Sequence, residues 1–186
     1  MANLELEQRL VEKAKRNPQD FNQLYELYFE KIYNFLLARC GQKELAEDIT
    51  SQTFLNALEK IHNFKWRNVS FGAWLYRIAI NNLNSHFRKN NRIILTEDEN
   101  LNLLISQQTS ADSAESDLEQ RGRITELYQT IKKLSADEQN LIILKYFQHK
   151  SYQEIAKILK LSSNTVGVKL HRSLRKLKIV YHQKIK

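Results

Sequence analysis

Apolar residues recur along this chain at spacings of three and four, the period of an α-helix with one buried face. Strict alternation, the mark of a half-buried strand, is not sustained. After Asp20, whose spacing from Gln23 resembles a capping box, Phe21, Leu24, Tyr25, Tyr28, Ile32, Phe35 and Leu36 keep the helical period as far as Gly41. A second helix is predicted from about Glu44 to Ile61. It turns Leu45, Ile49, Thr53, Phe54, Ala57, Leu58 and Ile61 inward and Glu47, Asp48, Gln52 and Glu59 outward. A third, from about Ser70 to Arg88, carries Phe71, Trp74, Leu75, Ile78, Ala79 and Leu83. With a helix from the N-terminal segment, these predict a compact helical domain over residues 1–92.

The period then fades. Residues 93–120 set Leu101, Leu103, Leu104 and Ile105 among Glu, Asp, Ser, Gln and Asn, without Lys or Arg, and predict an acidic, extended linker. A plain solvated tether that keeps basic domains apart fits the same composition. From Arg121 onward the helical period returns. Ile124, Leu127, Tyr128, Ile131 and Leu134 form one helix, and Ser135 with Glu138 is a capping-box pattern opening a second that runs through Gln148. Ser151 with Glu154 opens a third. The last begins after Ser162, placed as its cap, and aligns Val166, Leu170, Leu174 and Leu177.

The segment SYQEIAKILKLSSNTVGVKLHRSLRKLK thus holds two capped helices joined by a short turn, the spacing of a DNA-reading helix-turn-helix. Ile155, Ala156, Leu159, Leu161, Val166 and Leu170 give the pair a common core. Ser163, Asn164, Thr165, Gly167, Val168, Lys169, His171, Arg172 and Arg175 belong to the second helix or its start, and most of them face outward to suit base edges and phosphates. A helical hairpin with an ordinary solvated basic face is the plainer reading. Lys160 stands where a Gly would adopt a left-handed turn freely, and Gly167 lies inside the second helix. Neither Gly167 nor Val168 has a side-chain donor for a base, but Val168 can touch a thymine methyl.

Charge sharpens this division. Residues 1–92 hold 14 basic and 10 acidic side chains, residues 93–120 hold 7 acidic and no basic ones, and residues 121–186 hold 15 basic and 4 acidic ones. The chain as a whole carries +8, which favours a polyanionic partner. Four Gly and one Pro offer few turns for an all-β fold, so the expected class is all-α, in two small helical domains joined by the acidic linker. Cys40 is the one cysteine, which leaves no multi-cysteine zinc site, and no metal or cofactor is expected. No window approaches the ~20 apolar residues of a membrane span, and the N-terminal segment lacks a signal-peptide pattern. A cytoplasmic protein without membrane insertion is expected.

Between the second and third helices, HNFKWRNVSFGAW interleaves Phe64, Trp66, Phe71 and Trp74 with Lys65 and Arg67. Such pairs stack on unpaired bases and hold their backbone, whereas Phe71 and Trp74 fit the core better. Lys65, Trp66, Arg67 and Asn68 remain for nucleic acid, continued along the third helix by Arg77, Asn81, Asn82, Ser85, His86, Arg88 and Lys89.

LAEDITSQTFLNALEKI followed by FGAWLYRIAINNLNSHFRK resembles region 2 of the extracytoplasmic-function class of bacterial sigma factors. LSADEQNLIILKYFQHKSYQEIAKILKLSSNTVGVKLHRSLRKLK resembles their region 4. The resemblance implies that region 2 grips the clamp of core RNA polymerase through Glu47, Asp48, Gln52 and Leu55. It implies that Lys65, Trp66, Arg67, Asn68, Arg77, Asn81, Asn82, His86 and Arg88 bind and open the minus-ten element. It further implies that Ser163, Asn164, Thr165, Val168, Lys169, His171, Arg172 and Arg175 meet the minus-thirty-five element. The linker would thread the polymerase's RNA channel, and an anti-sigma factor joins the possible partners. The sequence departs from the family pattern at Gly167 and Val168, where polar or basic residues are frequent, at Lys160, which replaces a common turn Gly, and at Asn84, where an acidic residue is usual.

Two other functions compete with this expectation. A helix-turn-helix regulator acting without polymerase would use residues 1–92 for dimerisation or sensing, but gives no reason for the acidic face at Glu47 and Asp48. An enzyme would need an acid–base or nucleophile constellation, and His62, His86, His149, His171 and His182 are scattered without metal-ligand spacing or a phosphate loop. A non-enzyme is expected.

Overall fold

The computed structural model describes residues 2–66, 69–90, 122 and 125–184, and among them no strand occurs. Helix α1 spans Ala2–Arg16, α2 Phe21–Cys40, α3 Lys43–Lys60 and α4 Phe71–Asn90. In the C-terminal half, α5 covers 125–132 and α6 Ala136–Ile142, which runs on into a π-helical turn at Ile143–Phe147. Helix α7 spans Tyr152–Leu159 and α8 Ser163–Lys184. The expected linker, residues 93–120, lies outside the described residues.

Most predicted helix starts appear where the caps place them. Ser135 and Ser151 each accept from the backbone N–H of the residue three ahead, Glu138 or Glu154, whose carboxylate accepts from the serine N–H in return. Ser162 Oγ accepts from Thr165 N at 3.0 Å and so caps α8. Asp20 departs from expectation. Asn17 and Pro18 initiate a 3-10 turn over Pro18–Asp20, which puts Asp20 in helical geometry, where its side chain makes no capping bond. Gly41 ends α2 in the left-handed conformation (φ 69°), with its N–H bonded to Leu37 O at 2.7 Å.

In the N-terminal half, Leu24, Ile32, Phe35 and Leu36 of α2 meet Leu45, Ile49, Phe54 and Ala57 of α3 and Phe71, Leu75, Ala79 and Leu83 of α4, all buried. Helix α1 is fastened by one acid. Glu7 is 3% exposed, and its Oε1 accepts from Gly72 N at 2.9 Å and from the Tyr28 hydroxyl. Gly72 is required there, because a Cβ would come within 2.7 Å of the Tyr28 ring. In the C-terminal half Tyr128, Ile131, Leu141, Ile142, Ile143, Leu144, Ile155, Ile158, Val166 and Leu170 make the core, and a Lys176–Glu138 ion pair at 3.0 Å ties α8 to α6.

The two halves touch. The Arg39 guanidinium at the end of α2 is 5% exposed, donating from Nε to Asn140 Oδ1 at 2.6 Å and from Nη1 to Gln139 Oε1. Tyr76 donates to Gln148 Oε1 at 2.8 Å, and Arg77 Nε donates to the carbonyls of Lys157 and Ile158 at 2.9 and 3.3 Å. Burial, partly offset by the Cys40 and Asp137 charges, pushes the Arg39 pKa down to about 10. Beside it Cys40 is buried, and its thiol donates to Gln42 O at 3.4 Å.

Candidate functional site

Three exposed surfaces gather the residues singled out from sequence. On α3, inward packing of Leu45, Ile49, Thr53 and Ala57 forces Glu47, Asp48, Gln52 and Leu55 outward onto one side. Leu55 is 50% exposed, an apolar group beside acids on an otherwise polar face. Glu47 pairs with Lys43 at 3.9 Å on the same helix, and Gln52 bonds Asn56 at 2.9 Å. The strip is acidic and solvated, and it leaves α3's core contacts untouched.

The second surface starts in the loop before α4. Lys65 is exposed, and Arg67 and Asn68 lie outside the described residues. Trp66 is half-buried, its ring edge-on to Phe64 with centroids 4.9 Å apart, and its indole N–H is buried with no partner among the described residues. Along α4, Asn81 and Arg88 are exposed and His86 is half-buried beside Phe87. Asn82 is engaged: it donates to Thr53 Oγ1 at 3.3 Å and accepts from Asn56 at 3.0 Å, stitching α4 to α3. Arg77 is turned to the C-terminal end of α7, where orphan carbonyls carry partial negative charge. From the first turn of α4 to Arg88 is about 26 Å at ~1.5 Å per residue, so the loop and the last turn form the two ends of an elongated surface.

The third surface is α8. Val166, Leu170, Ser173 and Leu177 are buried, which leaves Ser163, Asn164, Lys169, His171, Arg172 and Arg175 exposed, together with Val168 at 46% exposure. Thr165 is half-buried, its hydroxyl 2.7 Å from that of Ser162. The turn before α8 is made by Lys160 in the left-handed conformation (φ 55°, ψ 45°), its N–H bonded to Ala156 O. The side-chain spacing alone assigned no role to Tyr152, at the start of α7. It is 42% exposed, stands against Gly167, and has Lys145 Nζ 5.1 Å from its ring centroid. Nor did it assign one to Arg39, Tyr76, Gln139, Asn140 or Gln148, whose contacts join residues 72 to 101 positions apart.

The described residues thus form two helical units, one with an acidic strip and an aromatic loop, the other ending in a helix-turn-helix. The sequence pattern of Sigma-70 region 2 matches residues 24–93, and that of Sigma-70 region 4 matches residues 124–177. The chain is 35% identical over 156 residues to the RNA polymerase sigma factor YlaC of Bacillus subtilis, covering 83% of this chain and 88% of YlaC. It is 30% identical over 162 residues to the ECF RNA polymerase sigma factor SigX of the same organism, covering 85% of this chain and 81% of SigX. To the ECF RNA polymerase sigma factor BldN of Streptomyces coelicolor it is 31% identical over 170 residues, 90% of this chain but only 63% of BldN. The chain therefore belongs to the extracytoplasmic-function class of RNA polymerase sigma factors. Its fold is that of CnrH, solved with the cytosolic domain of CnrY (TM-score 0.65, 20% identity, 95% of this chain and 97% of that one). It also matches the sigma factor RpoE of Bartonella quintana, solved with the anti-sigma factor NepR (TM-score 0.63, 23% identity, 87% and 96%).

Proposed function

We propose that this chain binds core RNA polymerase in the cytoplasm, recognises and opens specific promoters, and directs transcription initiation without catalytic residues of its own. The observation that carries this is the pairing of both sigma regions with two separate outward surfaces, the acidic α3 strip and the basic α8 face. Residues 1–92 form the polymerase and minus-ten domain, 93–120 the acidic linker, and 121–186 the minus-thirty-five domain. Glu47, Asp48, Gln52 and Leu55 meet the polymerase clamp. Lys65 to Asn68 with Arg77, Asn81, Asn82, His86 and Arg88 take the minus-ten strand. Asn164 reads a base edge, while Arg172 and Arg175 hold phosphates. An anti-sigma factor is a further partner of this reading, which the RpoE–NepR complex supports by its shared fold.

The reading demands that the two halves part. Elements at minus ten and minus thirty-five are centred about 25 base pairs apart, roughly 85 Å of duplex at ~3.4 Å per pair. A 28-residue linker, 93–120, reaches at most about 90–100 Å extended, which is enough. The contacts through Arg39, Tyr76 and Arg77 belong to a closed form, and parting releases Arg77 for DNA.

Run-off transcription with purified core polymerase, followed by mapping of start sites, tests this. The wild type should initiate from discrete promoters. A Glu47→Lys, Asp48→Lys double variant should keep its helical circular dichroism and melting temperature while losing core binding. Specific DNA binding without any polymerase binding would turn the reading into that of a free-standing regulator.

A further inference from the structure

On the exposed face of α8, Gly167 leaves a hollow beside the Tyr152 ring. The result is an open notch of about 430 Å³ lined by Tyr152, Asn164, Val168, His171 and Arg172 around the Gly167 backbone. Its apolar lining is the Tyr152 ring and the Val168 isopropyl group, with no side chain at Gly167, and Ser163, Asn164, His171 and Arg172 make the rest of it polar and cationic. Tyr152 is held in place from two directions: the Ser151–Glu154 capping box fixes the first turn of α7, and Lys145 lies over the ring at 5.1 Å.

Among the base-pair edges exposed in a major groove, only the thymine C5 methyl is an apolar projection. The other edges present donors and acceptors that an apolar lining would leave unpaired. On the basis of the reading that α8 enters the minus-thirty-five element, we propose that Tyr152, Gly167 and Val168 form a thymine-methyl site. Tyr152 on the preceding helix is then a promoter-reading residue in its own right. Gly167 acts by absence, because it admits the base edge to the ring.

The proposal separates specificity from stability. Gly167 is half-buried within α8, and its added Cβ would make ordinary contact with Tyr152 rather than a clash. Gly167→Ala should therefore raise the melting temperature by about 2–4 °C through helix propensity while placing a methyl between an incoming base edge and the Tyr152 ring. The experiment uses the full chain with core polymerase and a promoter library randomised across the minus-thirty-five element. The wild type should enrich a thymine at one position. Replacing that thymine by deoxyuridine, which keeps O4 and loses only the methyl, should lower binding about fourfold, the factor that one buried methyl corresponds to. Gly167→Ala and Tyr152→Ala should each abolish the difference between thymine and deoxyuridine, the first with its melting temperature raised. Enrichment of a minus-thirty-five sequence with equal binding of thymine and deoxyuridine throughout would overturn this site and leave the sigma reading standing. So would Gly167→Ala keeping the full difference. No enrichment at all would overturn both.

Discussion

Trp66 illustrates how a single side chain can serve two masters. Its ring packs edge-on to Phe64, yet it stays half-buried, and its indole N–H has no partner among the described residues. A donor next to a basic loop, without a partner among the described residues, is a group to which an incoming base or phosphate offers a bond. Trp66→Ala is expected to lower single-strand affinity by ~1–3 kcal/mol and to slow promoter opening, followed with a fluorescent base in the minus-ten element. The melting temperature should fall by less than the several kcal/mol of a fully buried Trp truncation would cause. Normal opening kinetics with a large fall in melting temperature would assign Trp66 to the core and leave Lys65, Arg67 and Asn68 to hold the strand.

At the scale of elements, the turn of the helix-turn-helix carries a cost that sequence made visible. Lys160 holds φ 55°, a conformation that costs a residue with a Cβ about 1 kcal/mol and costs glycine almost nothing. Lys160→Gly should therefore raise the melting temperature by about 2–4 °C in a thermal scan, with the helix content unchanged. No change would mean that the lysine side chain offsets the strain by contacts of its own. Helix starts at Ser135, Ser151 and Ser162 were legible because a cap is a local bond between residues three apart, and the helical faces were legible because burial repeats with the helical period. Helix α2 does start after Asp20, but the expected capping bond is absent for an equally local reason: Asn17 and Pro18 begin a tighter turn first and leave Asp20 in helical geometry at the cap position. The π turn after Ile142 left no trace in the apolar pattern. The α3 strip and the α8 face could be named from spacing, but Tyr152 could not, because it comes beside Gly167 only when α7 packs against α8.

The whole molecule depends on contacts that no spacing could announce. Arg39 and Asn140 are 101 residues apart, and Tyr76 and Gln148 are 72 apart. The contact is polar at its centre: a buried guanidinium held by two amides, with Asp137 near enough for its charge to help but without a bonded carboxylate among the described residues. Neutral partners satisfy its hydrogen bonds but repay little of its lost hydration, so such a joint closes with a small margin. Arg39→Ala would take the guanidinium donors from both amide oxygens at a cost of roughly 1–2 kcal/mol, a factor of 5–30 in the ratio of closed to open chains. Small-angle scattering of the free chain should then show a larger radius of gyration with unchanged circular dichroism. An unchanged radius would mean that Tyr76 and Arg77 hold the halves together without it.

The same joint shelters the one thiol, and that makes its opening measurable in time. Cys40 follows Arg39, is buried, and feels the charge of Lys132 from the C-terminal half, although burial dominates and pushes the thiol pKa up. Thiolate is the reactive form, so a sheltered Cys40 waits for exposure before it can be modified. With an aromatic disulfide reagent in stopped flow, the labelling rate should rise with reagent and then level off at the rate at which the halves part. Core polymerase should lift that plateau, and Arg39→Ala should lift it without polymerase. A rate that stays proportional to reagent and indifferent to polymerase would mean that Cys40 is reached by local fraying of α2. Otherwise a residue with no part in binding DNA or polymerase sets a stopwatch on the step that readies this chain for both.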